Sequence, residues 1–75
     1  MNILLFGQLA GTMGARTIQI DAQPDTDELV RHIELVYPAL RGLEYHVAVN
    51  RDIIQSNTTL TPDAEIALLP PYSGG

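Results

Sequence analysis

The chain has 75 residues, 45% of them apolar and 17% charged, an ordinary globular balance for a single small domain. It holds no cysteine, which excludes disulfides, thiolate metal sites and a cysteine nucleophile. Nine acidic residues against four arginines, with no lysine, give a net charge of −5; Arg16, Arg31, Arg41 and Arg51 are scattered, so nucleic acid is not an expected partner.

In chain order, Asn2–Gly7 reads as a strand, apolar and closed by glycine. Gln8–Ala15 contains two glycines at Gly11 and Gly14, lacks a clear period, and reads as a loop or a single helical turn. Arg16–Ala22 alternates, with Ile18 and Ile20 on one face and Thr17, Gln19 and Asp21 on the other, the mark of a half-buried strand. Asp25 to about Tyr37 is the one helix expected. Asp25 can cap it, Glu28 stands three residues on at capping-box spacing, and Asp27 and Glu28 suit the positive end of the helix dipole. Leu29, Val30, Ile33, Val36 and Tyr37 form its apolar stripe, and Pro38 ends it. Tyr45–Asn50 is a third strand. Arg51–Thr61 is mostly turn, with a short strand around Ile53–Ile54, and Glu65–Leu69 is a last strand stopped by Pro70 and Pro71.

The order strand, strand, helix, strand, short strand, strand suits an α+β fold of the β-grasp (ubiquitin-like) kind. A mixed sheet of four to five strands would carry one helix on one face, with the first and last strands parallel in the middle. The domain is expected over residues 1–69, with 70–75 as an extended tail. Strand alternation then has a consequence. If Ile3, Leu5, Ile66 and Leu68 face the helix, Leu4, Phe6 and Leu69 point to the uncovered face, and a contiguous apolar patch of that kind marks a protein interface.

The end of the chain reads Leu68-Leu69-Pro70-Pro71-Tyr72-Ser73-Gly74-Gly75. Two prolines stiffen the exit from the sheet, and Pro70 to Gly75 can reach about 20 Å at full extension. Terminal Gly-Gly, which chance gives about 0.5% of the time, would let a carboxylate enter a tunnel too narrow for any Cβ.

These residues resemble the MoaD/ThiS sulfur-carrier family of ubiquitin-like proteins, and within it the small subunits of molybdopterin synthase. The resemblance spans the whole chain. It rests on Ile3-Leu4-Leu5-Phe6-Gly7-Gln8, on Val47-Ala48-Val49-Asn50 and above all on Asp63 to Gly75, whose Leu-Pro-Pro-x-Ser-Gly-Gly ending marks the molybdopterin branch. It implies that Gly75 is adenylated at its carboxylate by a MoeB-like activating enzyme using ATP, then converted to a thiocarboxylate. That group would donate sulfur to a pterin precursor inside a heterotetramer with a MoaE-like large subunit. Gly74 would give access, Pro70, Pro71, Tyr72 and Ser73 would form the arm, and Phe6, Ile53 and Leu69 would face the partner. No cofactor would be bound by the chain itself, and it would not be an enzyme alone. The sequence departs from the family at Leu9-Ala10-Gly11, where a basic residue is common, at Asp63-Ala64, where glycine is common, and at Tyr72, where a small aliphatic residue is usual.

Alternatives stay open at this level: a carrier for thiamine, cysteine or tRNA thiolation, a ubiquitin-like modifier, or a binding module with an incidental tail. His32 and His46 lack a ligand set for a metal. Asn57-Thr58-Thr59 matches a glycosylation sequon, but no secretory segment accompanies it, and Ser73 has no neighbouring base. The longest apolar runs, Ile3–Phe6 and Ile66–Leu69, are four residues each, so a cytoplasmic chain without membrane contact is expected.

Overall fold

The computed structural model describes residues 1–71. Five strands, β1 (Asn2–Leu5), β2 (Thr17–Gln19), β3 (His46–Val49), β4 (Asp52–Ile53) and β5 (Ile66–Leu69), form one sheet in the order β2-β1-β5-β3-β4. β1 and β5 lie parallel at its centre, with Ile3 beside Ile66 and Leu5 beside Leu68, while every other pairing is antiparallel. The mixed sheet and its central parallel pair are those expected of a β-grasp fold.

The main helix, α2 (Thr26–Val36), begins where Asp25 accepts the Glu28 N–H at 2.9 Å. Half of the expected capping box therefore forms. The Glu28 carboxylate does not reach back; it pairs with Arg31 Nη1 at 3.1 Å, one helical turn on. The second cap comes from a distant part of the chain. Asn57 Oδ1 accepts the Asp27 N–H at 2.9 Å, and Thr26 exchanges two bonds with Thr58, N–H to carbonyl and N–H to hydroxyl, each at 2.9 Å. The sequon asparagine is thus a helix cap. Tyr37 ends the helix with its N–H still bonded to the Ile33 carbonyl, and Pro38–Leu40 adds one 3₁₀ turn.

A second helix, α1 (Gln8–Met13), fills the connection between β1 and β2, where the sequence suggested at most a single turn. Its reason is burial. Leu9 is fully buried in the core, Ala10 and Met13 pack against that core, and Gly14, left-handed at φ 65°, donates its N–H to the Ala10 and Gly11 carbonyls to close the helix.

The core lies between the sheet and α2. Ile3, Leu29, Ile33, Leu40, Ile66 and Leu68 are wholly inaccessible, joined by Leu5, Ile18, Ile20, Val47 and Val49. Tyr45 ties strand to helix, its hydroxyl donating to Glu34 Oε2 at 2.7 Å; burial, and then this carboxylate, push the phenol well above its ordinary value. Among the described residues, no helix is long and apolar enough to cross a membrane.

Candidate functional site: the open sheet face and the base of the tail

Strand alternation divides the sheet in two. The residues between the core positions project from the side away from α2, and the strand register lines them up. One cross-strand row runs Thr17, Leu4, Ala67, Ala48, Ile53. A second row contains Leu69 opposite His46, with Phe6 following Leu5 on the adjacent strand. Leu4 (37% exposed), Phe6 (46%) and Ile53 (49%) stand open, and Ala67 and Leu69 are half-buried. Alanine at 48 and 67 leaves the middle of the face low between the larger side chains at its margins. The three residues expected to face a partner therefore share one surface, with Ile53 on β4, Leu69 on β5 and Phe6 directly after β1.

Ile53 reaches that surface through a hairpin: the short strand expected around Ile53–Ile54 forms at Asp52–Ile53, joined to β3 by a tight turn the sequence did not suggest. Val49 pairs with Asp52, so Asn50 and Arg51 form a two-residue loop with φ of 50° and 73°, the mirror-image turn that suits twisted antiparallel strands. Asn50 tolerates this geometry and also clamps β5, taking the Glu65 N–H on its side chain at 2.9 Å and giving its own N–H to the Glu65 carbonyl at 2.8 Å. The strand begins at Ile66, one residue after this clamp. The turn before it is closed by the Ala64 N–H on the Thr61 carbonyl at 3.0 Å, with Pro62 in its second position. A glycine is unnecessary there, because positive φ among non-glycine described residues is confined to Asn50 and Arg51. The Thr61 hydroxyl donates to Asp63 Oδ1 at 2.7 Å and holds that exposed carboxyl below its usual range.

The tail leaves the sheet beside this face. The Phe6 N–H bonds the Leu68 carbonyl at 3.2 Å, the last rung before the chain runs on through Leu69 to Pro70. Pro70 then lies over Gly7. A Cβ at residue 7 would stand 2.8 Å from the proline Cγ, and Gly7 itself has φ 57°. The glycine that closes β1 is thus also the seat of the tail's first residue, a contact between positions 63 apart that no local pattern could reveal. Pro70 and Pro71 are half-buried; Tyr72, Ser73, Gly74 and Gly75 lie outside the described residues.

His32 and His46 are not drawn together: His46 is on the open face, while His32 is on α2. Among the described residues no group of three histidine, aspartate or glutamate side chains is arranged to hold a metal. Of the acids at the start of α2, Asp25 caps the helix, while Asp27 and Glu28 lie in its first turn and Glu28 pairs with Arg31.

The ThiS family model matches residues 3–75. The chain belongs to the ThiS family. It is 35% identical over 81 residues to the molybdopterin synthase sulfur carrier subunit of Caenorhabditis briggsae, covering 100% of this chain and 96% of that one. The fold superposes on the crystal structure of small archaeal modifier protein 1 from H. volcanii with a TM-score of 0.81, at 23% identity and 95% coverage of each chain. It also resembles a chain from a complex of subunits 1 and 2 of molybdopterin-converting factor from Helicobacter pylori, with a TM-score of 0.70 and 31% identity, over 99% of this chain and 96% of that one. This is the β-grasp fold expected from the order of elements.

Proposed function

We propose that the chain is the sulfur carrier of molybdenum cofactor biosynthesis, the small subunit of a molybdopterin synthase. The observation that carries this reading is a family match running through Gly74 and Gly75, in a chain 35% identical to a protein of that name over its full length. A free carboxylate is a poor acyl donor, since its charge repels nucleophiles. An activating enzyme of the MoeB kind would join Gly75 to AMP at the expense of ATP, releasing pyrophosphate. A sulfur donor then displaces AMP and leaves a thiocarboxylate, a strong nucleophile at neutral pH as thiolates are. Its sulfur attacks a carbon of the pterin precursor and displaces an oxygen substituent there; water then cleaves the acyl–sulfur bond, which leaves the sulfur on the pterin and restores the carboxylate for another round.

In this reading the chain is carrier and not catalyst. The synthase large subunit, MoaE-like and dimeric in a heterotetramer, supplies the pocket; the complex of two converting-factor subunits from Helicobacter pylori supports a partner of that type. The open face carrying Phe6, Ile53 and Leu69 docks on it, and Pro70, Pro71, Tyr72 and Ser73 carry Gly74 and Gly75 inward. A cytoplasmic location follows from the substrates. A protein-modifier role shares the activation step and fits the archaeal modifier structures, at 23% and 27% identity; the 35% identity to a sulfur carrier subunit favours the carrier.

Reconstitution tests the proposal. Chain, activating enzyme, ATP, sulfide, large subunit and pterin precursor should together yield molybdopterin, and a variant with one alanine added after Gly75 should yield none while unfolding at the same temperature. Product formed by the extended variant, without trimming, contradicts it.

A further inference from the structure

Two of the four arginines have acidic partners, Arg31 on Glu28 at 3.1 Å and Arg51 on Glu65 at 3.3 Å. Arg16 has none among the described residues. It borders a groove of about 390 Å³ whose other walls are Leu4, Leu5, Phe6, Gly7 and Ala10. Three features make this placement notable. The groove is continuous with the open face, since Leu4 and Phe6 belong to both. It adjoins Gly7, the seat of Pro70, so whatever fills it lies beside the departing tail. Its walls are otherwise apolar; a partner seated on them would exclude water, and its carboxylate would then meet the guanidinium with the attraction less screened.

We infer that Arg16 takes a carboxylate of the synthase large subunit in this groove and so fixes how that partner seats around the base of the tail; this rests on the pairing proposed above. The chain carries nine acids to four basic residues, so an acidic partner segment would be repelled over most of its surface. A guanidinium at the tail base makes the groove the place where such a segment is accepted, and it defines orientation as much as affinity. The arginine stands eight residues from Gln8, at the far end of the connection through α1, in a chain whose Leu9-Ala10-Gly11 stretch has no basic residue. The fold brings that distant charge back against Phe6 and Ala10.

The test measures binding of the full chain to the synthase large subunit from the same organism by calorimetry. Arg41 is the control: it follows the 3₁₀ turn, does not line the groove, and its reversal changes net charge equally. Arg16→Glu should weaken binding roughly tenfold at low salt, with the gap from wild type narrowing as salt rises. Arg16→Lys should retain most of the affinity, and Arg41→Glu should change it less than about twofold. Unfolding temperatures of all three should match wild type. Equal losses for Arg16→Glu and Arg41→Glu, or no loss for either, overturn the assignment to Arg16. Failure of the wild-type chain to bind would instead remove the partner, and this inference with it.

Discussion

The two faces of the sheet come from the same strands and nearly the same amino acids, yet they end differently. On one side Ile3, Leu5, Ile66 and Leu68 are buried beneath α2; on the other Leu4, Phe6, Ala67 and Leu69 alternate with them and have no helix over them. Hydropathy does not distinguish Leu5 from Leu4. What distinguishes them is that a single main helix covers one side, and a two-residue alternation assigns each leucine to its side. Apolar residues retained on the uncovered side weaken solubility and add little to folding, so their sense lies in association. The covered face stabilises the domain, and in the function proposed above the open face, with Pro70 leaving from its edge, serves the partner.

A pair of truncations is the strongest attempt to break that contrast. Leu68→Ala, in the covered face, should cost about 2–5 kcal/mol of stability, measured by denaturant unfolding. Phe6→Ala should cost no more than about 1 kcal/mol there, while weakening binding to the large subunit by about thirtyfold. Comparable stability losses with unchanged binding for Phe6→Ala would erase the distinction. Next in size is Asn50→Ala, which removes the acceptor for the Glu65 N–H and a residue suited to positive φ; a loss of about 1–2 kcal/mol is expected from unfolding curves.

Much of this division was legible in the chain itself. Ile3 and Leu5 against Leu4 and Phe6 is a period of two, and Asp25 with Pro38 brackets a helix that forms over Thr26–Val36. Local chemistry decides such features, so local sequence reveals them. α1 was not legible, because glycines at 11 and 14 weaken its helical pattern and the burial of Leu9 is a tertiary effect. The Asn50-Arg51 turn was hidden by an arginine standing where glycine is usual. The Asn57 cap on Asp27 and the Gly7 seat under Pro70 join residues 30 and 63 positions apart, and no spacing rule reaches that far.

Two smaller substitutions sharpen the contrast, since each concerns the framework and should leave partner binding unchanged. Tyr45→Phe should lose about 1 kcal/mol at neutral pH through its bond to Glu34. The phenol's native pKa is raised above its ordinary value of 10.0, so its contribution is complete below pH 10 and is lost as pH climbs from there toward the native value. Unfolding measured on both sides of pH 10 should show this decline in the wild type and a weaker one in Tyr45→Phe; with no lysine in the chain, no side-chain ammonium titrates in that window. Smallest is Arg51→Gly, which relieves a side chain held at φ 73° and should raise stability by about 0.5 kcal/mol, despite losing an exposed ion pair.

The working group proposed for this chain is the main-chain carboxyl of Gly75. Intact-protein mass spectrometry after incubation with the activating enzyme, ATP and sulfide addresses it directly. A carrier should gain the mass of one oxygen replaced by sulfur, confined on fragmentation to the terminal glycine and absent without ATP. An unchanged mass under conditions where a known carrier is converted, or sulfur found elsewhere in the chain, would contradict it.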